Sequence, residues 1–234
     1  LIKEARLDTA TKPLENTTTQ PATGFNPYNQ ARFLLSCARL DQLPPDALPE
    51  VAFVGRSNAG KSSALNAICA KKGLARVSKT PGRTQLINLF DVPEGRFVDL
   101  PGYGFAQVPL AIKKNWGVLI GGYLQKRDNL CGLVIMMDIR HPLTDLDAQM
   151  LDWGQQYQRH CHILLTKSDK LSFGAASKVL QEVKNKLSER WPDTTVQVFS
   201  AQAKRGLDNA RVVISNWLSE GSEHGLPDQP AAGF

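Results

Sequence analysis

Val51-Ala52-Phe53-Val54-Gly55-Arg56-Ser57-Asn58-Ala59-Gly60-Lys61-Ser62-Ser63 decides the fold of this 234-residue chain. Its first four residues form a short apolar run, the pattern of a strand buried on both faces. Leu65, Ile68 and Cys69 follow at the spacing of a helix face. Between strand and helix lies the pattern G-x-x-x-x-G-K-S. In that context Gly55 and Gly60 let the backbone curl close to phosphate oxygens. Arg56, Ser57, Asn58 and Ala59 then turn successive N–H groups into one concavity, backed by a helix N-terminus. Lys61 offers an ammonium to β- and γ-phosphates, and Ser62, followed by Ser63, offers a hydroxyl to Mg²⁺.

Working outward, apolar runs alternate with helical patterns. Strands are predicted at Leu86–Phe90 and Arg96–Asp99, joined by a tight turn at Pro93-Glu94-Gly95, and then at 130–137, 162–165 and 195–199. Helices are predicted at about 143–157, 172–190 and 206–218, the second carrying Val179, Val183 and Leu187 at intervals of four. An extended segment at Arg32–Cys37 is expected on a sheet edge. This βαβ-like order predicts an α/β fold with a mostly parallel sheet, helices on both faces and ligands at the carboxyl ends of the strands.

Two further stretches give the cradle its chemistry. Thr166-Lys167-Ser168-Asp169 closes an apolar strand. A carboxylate only accepts hydrogen bonds, and guanine presents two adjacent donors, N1–H and the exocyclic amine; adenine presents no such pair. Asp169 is therefore expected to select guanine, with the Lys167 stem covering the base face. The amides of Phe199-Ser200-Ala201, at the end of the last strand, are expected to meet the guanine O6. Asp99-Leu100-Pro101-Gly102 ends another strand: the Asp99 carboxylate can reach Mg²⁺ through a water, and the Gly102 amide can reach a γ-phosphate. Gly82, Arg83, Thr84, Gln85 and Leu86 are nucleotide-contact candidates from a polar loop, with Thr84 the second hydroxyl for Mg²⁺. Segments 72–84 and 102–112 are expected to order with GTP.

These stretches, with Lys79-Thr80-Pro81-Gly82-Arg83-Thr84-Gln85 and the run Gly102-Tyr103-Gly104-Phe105-Ala106, resemble the YihA/YsxC/EngB family of bacterial ribosome-biogenesis GTPases, within the TrmE-Era-EngA-EngB-Septin-like class. The resemblance runs from about residue 30 to 218. Ala59 departs from the commoner Val. The resemblance implies a Ras-like P-loop nucleoside-triphosphatase fold that hydrolyses GTP to GDP, a part in large ribosomal subunit assembly, and a need for the protein in cell division and septation. In similar GTPases an Asn at the position of Asn58 is a ligand for K⁺, which implies activation of hydrolysis by that ion; the alternative is that Asn58 only hydrogen-bonds to the loop backbone. Lys61, Thr84, Gly102 and Asn58 are the catalytic candidates. Tyr103 stands where many GTPases have a water-orienting Gln, so slow intrinsic turnover is expected.

Composition bounds the remainder. The chain is 42% hydrophobic and 21% charged, ordinary for a globular protein. No apolar run approaches the roughly 20 residues of a membrane span, and the first residues lack a signal-peptide core, so a cytoplasmic monomer without membrane contact is expected. The net charge is +6. Residues 1–25 sum to zero and residues 219–234, with Glu220, Glu223 and Asp228, to −3, leaving +9 on residues 26–218. That excess suits a ribonucleoprotein partner, and equally a solvated basic surface. The two ends read as a disordered arm (1–25) and a disordered acidic tail (219–234) around a GTP-binding domain at 26–218. Cys37, Cys69, Cys131 and Cys161 form no C-x-x-C pair and read as buried thiols. His160-Cys161-His162 places its two imidazoles on one strand face and the thiol on the other, a poor metal site. A GTP-dependent binding module with negligible hydrolysis is the alternative to a switch enzyme; Asp169 argues against a P-loop kinase or ATPase.

Overall fold

The computed structural model describes residues 26–75, 86–104 and 110–224. Seven strands are present among them: β1 (Arg32–Cys37), β2 (Glu50–Gly55), β3 (Ile87–Val92), β4 (Gly95–Asp99), β5 (Leu130–Asp138), β6 (His160–Thr166) and β7 (Thr195–Val198). Five α-helices accompany them: α1 (Lys61–Ile68), α2 (Leu110–Lys126), α3 (Asp145–Gln156), α4 (Phe173–Arg190) and α5 (Leu207–His224).

The sheet order is β1-β3-β4-β2-β5-β6-β7. From β4 to β7 every neighbour is parallel, and β1 and β3 add two antiparallel pairings at one edge. This is the mostly parallel α/β sheet that the alternating pattern predicts, with Arg32–Cys37 on the edge. Val92 pairs with Gly95, so Pro93-Glu94 is a two-residue hairpin loop, and Glu94 takes the positive φ of 67° that this tight turn demands.

Strand periodicity divides the core into two layers. Ala52 and Val54 face one side, with Leu133, Ile135, Ile163 and the inner residues of α3 and α4. Val51 and Phe53 face the other, with Val134, Met136 and residues of α1 and α5. Both faces are covered, which is why the central strands read as unbroken apolar runs rather than alternating ones. Thr144 caps α3 through a reciprocal box with Asp147, and the Ser172 hydroxyl accepts from the Ala175 N–H to start α4.

Two elements differ from expectation. Helix α2 has no counterpart among the predicted helices. Its interior holds Gly117, Gly121 and Gly122, each costing about 1 kcal/mol against Ala and blurring the apolar period. At Gly122 a Cβ would stand 2.8 Å from Leu40, so close packing on the 3₁₀ turn at Leu40–Gln42 uses the missing side chain. Helix α5 continues to His224, beyond the expected boundary at 218. The stretch from Ser219 to His224, expected to open the tail, is helical, and Gly221 lies against Cys131 and Pro49, where a side chain would collide. Tertiary contact there overrides the low helix propensity of glycine.

Candidate functional site

The carboxyl ends of β2, β4, β5, β6 and β7 meet at one rim of the sheet, and the residues that leave them build one cradle. After Gly55 the chain turns tightly: the Ala59 N–H donates to Arg56 O at 2.9 Å. Asn58 (φ 63°) and Gly60 (φ 91°) both adopt the left-handed conformation, which turns consecutive peptide N–H groups toward one side. The first helical bond, Ala64 N–H to Gly60 O at 2.8 Å, follows directly. A Cβ at Gly55 would stand 2.7 Å from Met136 O, so the loop leaves β2 through a gap that admits only glycine.

The Lys61 ammonium is ion-paired with the Asp99 carboxylate at the end of β4, and both side chains are largely buried. The first turn of α1 and the Asp-x-x-Gly segment therefore face each other. Leu100 N–H donates to Phe53 O at 3.0 Å and prolongs the parallel ladder past Asp99. Gly102 then passes so close to the loop that a Cβ would lie 3.4 Å from Gly55 O and 3.7 Å from Ser57 N. Tyr103 pairs with the loop in both directions: its N–H donates to Gly55 O at 3.2 Å and its carbonyl accepts from Ser57 N–H at 2.7 Å.

The stretch expected to recognise the base is fastened to the same loop. The Thr166 hydroxyl lies 2.6 Å from Ala59 O and 3.0 Å from Met137 O. Lys167, itself left-handed at φ 57°, reaches across to donate to Asn58 O at 2.6 Å and pairs with Asp138 at 3.0 Å. Its aliphatic stem thus spans the space between the two motifs. Asp169 receives a 2.5 Å hydrogen bond from the Ser200 hydroxyl, whose oxygen in turn accepts from Ala203 N–H at 3.0 Å. That bond to Ser200, ahead of the weaker influence of Lys170, holds the Asp169 carboxyl below the usual carboxylate range. It is therefore an ionised acceptor at neutral pH. Ser168 N–H donates to Phe199 O at 3.1 Å, joining the ends of β6 and β7, while the buried Ser168 hydroxyl has no hydrogen-bond partner among the described residues.

A profile of the family described as "50S ribosome-binding GTPase" matches residues 50–167. A probable GTP-binding protein EngB of Coxiella burnetii (strain CbuK_Q154) is 54% identical over 193 residues, 82% of this chain and 94% of that protein. The probable EngB of Nitrosomonas europaea is 52% identical over 195 residues, covering 83% and 88%. The chain belongs to the EngB family of GTP-binding proteins. A crystal structure of a probable GTP-binding protein engB superposes with a TM-score of 0.61 at 19% identity, over 73% of this chain and 99% of that one. A variant of Aquifex aeolicus Era, solved with GDP·AlF4⁻ bound, superposes at 0.56 and 20% identity, over 77% and 57%. Those two likenesses carry the P-loop GTPase fold.

In this EngB-family GTPase the structure brings together Gly55–Ser63, Asp99–Gly102, Thr166–Asp169 and Phe199–Ala201. Gly82, Arg83, Thr84 and Gln85 lie outside the described residues, as do most of the expected switch segment 72–84 and residues 105–109 of the other; Leu86, the first residue after the first gap, is exposed. The loop fits a phosphate chain, since it combines two left-handed residues, a side-chain-free Gly102 alongside and an ammonium at its end. Asp99 borders that ammonium, Ser62 follows Lys61 in the first turn of α1, and both are oxygen donors of the kind Mg²⁺ takes. Three contributors were missed by reasoning from the sequence. Asp138 at the end of β5 bonds Arg140 and Lys167, and Arg140 above all holds its carboxyl far below the usual range; an acid closing an apolar strand was its signal. The tie from Thr166 to Ala59 and the burial of Tyr103 had no signal in the linear pattern. His160 and His162 do share a face, against Trp217, and Cys161 faces Gly154 on the other. Both His162 nitrogens are engaged, by Thr195 at 2.7 Å and Gln197 at 3.0 Å.

Proposed function

We propose that this GTPase is a molecular switch in large ribosomal subunit assembly, acting in the cytoplasm as a monomer and needed for normal cell division and septation. The observation that carries the switch is the Lys61–Asp99 ion pair. One partner is the residue expected on the β- and γ-phosphates; the other is expected on Mg²⁺ through a water. GTP with Mg²⁺ competes for both at once, so nucleotide occupancy and the position of the Asp-x-x-Gly segment are coupled. Ser62, Thr84 and, through water, Asp99 would hold Mg²⁺, which neutralises charge on the phosphates. Asp169 selects guanine, Lys167 covers its face, and the amides of Ser200 and Ala201 serve O6.

The family description, a 50S ribosome-binding GTPase, supports the partner, and the +9 excess on residues 26–218 suits ribosomal RNA. Co-sedimentation with purified large subunits should occur with a GTP analogue and fall away with GDP and with rising salt. Equal binding with both nucleotides, or none with either, overturns the switch reading.

The alternative, a binding module with negligible hydrolysis until its partner activates it, draws on Tyr103. Its ring is buried in the core rather than in the cradle, so this position presents no amide to orient water. Single-turnover hydrolysis with and without ribosomal particles separates the two readings. A K⁺ ion beside Asn58 is the proposed internal source of activation. The Asn58 side chain is exposed while its carbonyl is held by Lys167. Turnover at equal ionic strength should be faster in KCl than in NaCl, and Asn58→Ala should remove the difference; equal rates for the parent protein discard the ion.

A further inference from the structure

Tyr103 is fastened at both ends. Its backbone bonds the phosphate loop in both directions, to Gly55 and Ser57, at 3.2 and 2.7 Å. Its ring is buried, and its hydroxyl donates to Asp147 Oδ1 at 2.6 Å. Asp147 is itself buried and held in place. Its second oxygen accepts from the Thr144 N–H at 2.9 Å and from the Thr144 hydroxyl at 2.7 Å, the capping box that starts α3. One carboxylate thus joins the helix cap to the residue that follows Gly102. Immediately beyond, Gly104 turns left-handed at φ 76°, with Arg56 and Leu146 against the position a Cβ would take. Tyr103 thus stands between the phosphate loop and the cap of α3.

A buried phenol needs a hydrogen-bond partner, and a carboxylate is the strongest neutral-pH acceptor available. Burial, and then the Asp147 charge, push the Tyr103 phenol well above its ordinary value, so it stays a donor at any working pH. Packing alone would be served by Phe. The hydroxyl adds direction: it sets the ring against α3, and the ring sets the peptide that begins at Gly102.

We infer that Tyr103 is a positioning residue, held by Asp147, that keeps the Gly102 amide preorganised beside the phosphate loop and so sets the preference for nucleotides bearing a γ-phosphate. This rests on the GTP site described above. An amide already in place binds without the entropic cost of its own ordering, whereas a loosened one loses that advantage. A nucleotide without a γ-phosphate makes no use of that amide and is indifferent to the anchor.

The test is the ratio of affinities for a non-hydrolysable GTP analogue and for GDP, both with Mg²⁺. Tyr103→Phe should bind the analogue roughly tenfold more weakly, the size of effect expected from a hydrogen bond to a charged group, with GDP affinity unchanged. Asp147→Ala should do the same. In the parent protein the Ser57 and Tyr103 amides should resist hydrogen exchange in the GDP complex. If Tyr103→Phe keeps the parent's ratio, or shifts both affinities equally, the inference is overturned. Rapid exchange at both amides in the parent overturns it as well, without need of a folded variant. Failure of the parent itself to bind either nucleotide would instead strike the GTP-site reading.

Discussion

At Asp169 the proposed recognition of guanine depends on a single proton. Ser200 donates its only hydroxyl hydrogen to this carboxylate, and Ala203 N–H occupies the hydroxyl oxygen, so the acceptor is held in one orientation before any base arrives. Asp169→Asn turns one acceptor oxygen into a donor. It should weaken GTP binding by about 100-fold or more, because a guanine donor is left facing another donor. Xanthine, with a carbonyl at C2, should then be preferred. Competition titrations with GTP and XTP check this; a variant that still prefers GTP removes Asp169 from base recognition. The residues of this site were legible because each motif pairs a fixed spacing with a strand end. Tyr103 was legible only as a missing Gln. Nothing in the linear order joins it to Asp147, 44 positions away.

Strand β6 has two roles, carrying the base motif at its end and a buried histidine within it. Burial, opposed by the bond to Gln197, holds His162 below the ordinary imidazole value of about 6.5. Both its nitrogens are satisfied in the neutral form, one accepting and one donating. The unfolded chain takes up a proton near pH 6.5 while the folded one resists it, so unfolding binds protons in that range. The stability from neutral His162 is complete above about pH 6.5 and is lost as the pH falls toward the lowered folded value. Urea midpoints for the parent should therefore drop, as the pH falls below about 6.5, more steeply than those for His162→Gln. Parallel slopes would place the acid sensitivity elsewhere. Helices α3 and α4 were readable as helical patterns between apolar strands, α4 with Val179, Val183 and Leu187 at intervals of four. Helix α2, with three interior glycines, was not.

As a whole, the molecule gathers its proposed nucleotide site from four separate strand ends, none of which forms a site in an unfolded chain. Ligand binding and folding are linked for that reason. GDP with Mg²⁺ at about 100 times its dissociation constant should add about 2.7 kcal/mol. For a chain of this size that raises the melting temperature by roughly 5–10 °C. ATP at the same concentration should add far less, and a thermal melt with both nucleotides measures the difference. Equal shifts would mean that the phosphates alone are recognised. The sequence by itself determined the GTPase motifs and the mostly parallel α/β class, because a glycine-rich loop between strand and helix and alternating apolar runs depend on local spacing. Tertiary structure alone decided the extent of α5, the helix at 110–126 and the fastening of Tyr103 and Thr166. These depend on which surfaces meet across the sheet: Gly221 against Cys131, Gly122 against Leu40, a phenol against a helix cap, a hydroxyl against a loop carbonyl. Such contacts have no period in the chain, and only close packing, in which a single methyl group or hydroxyl is felt, makes them specific.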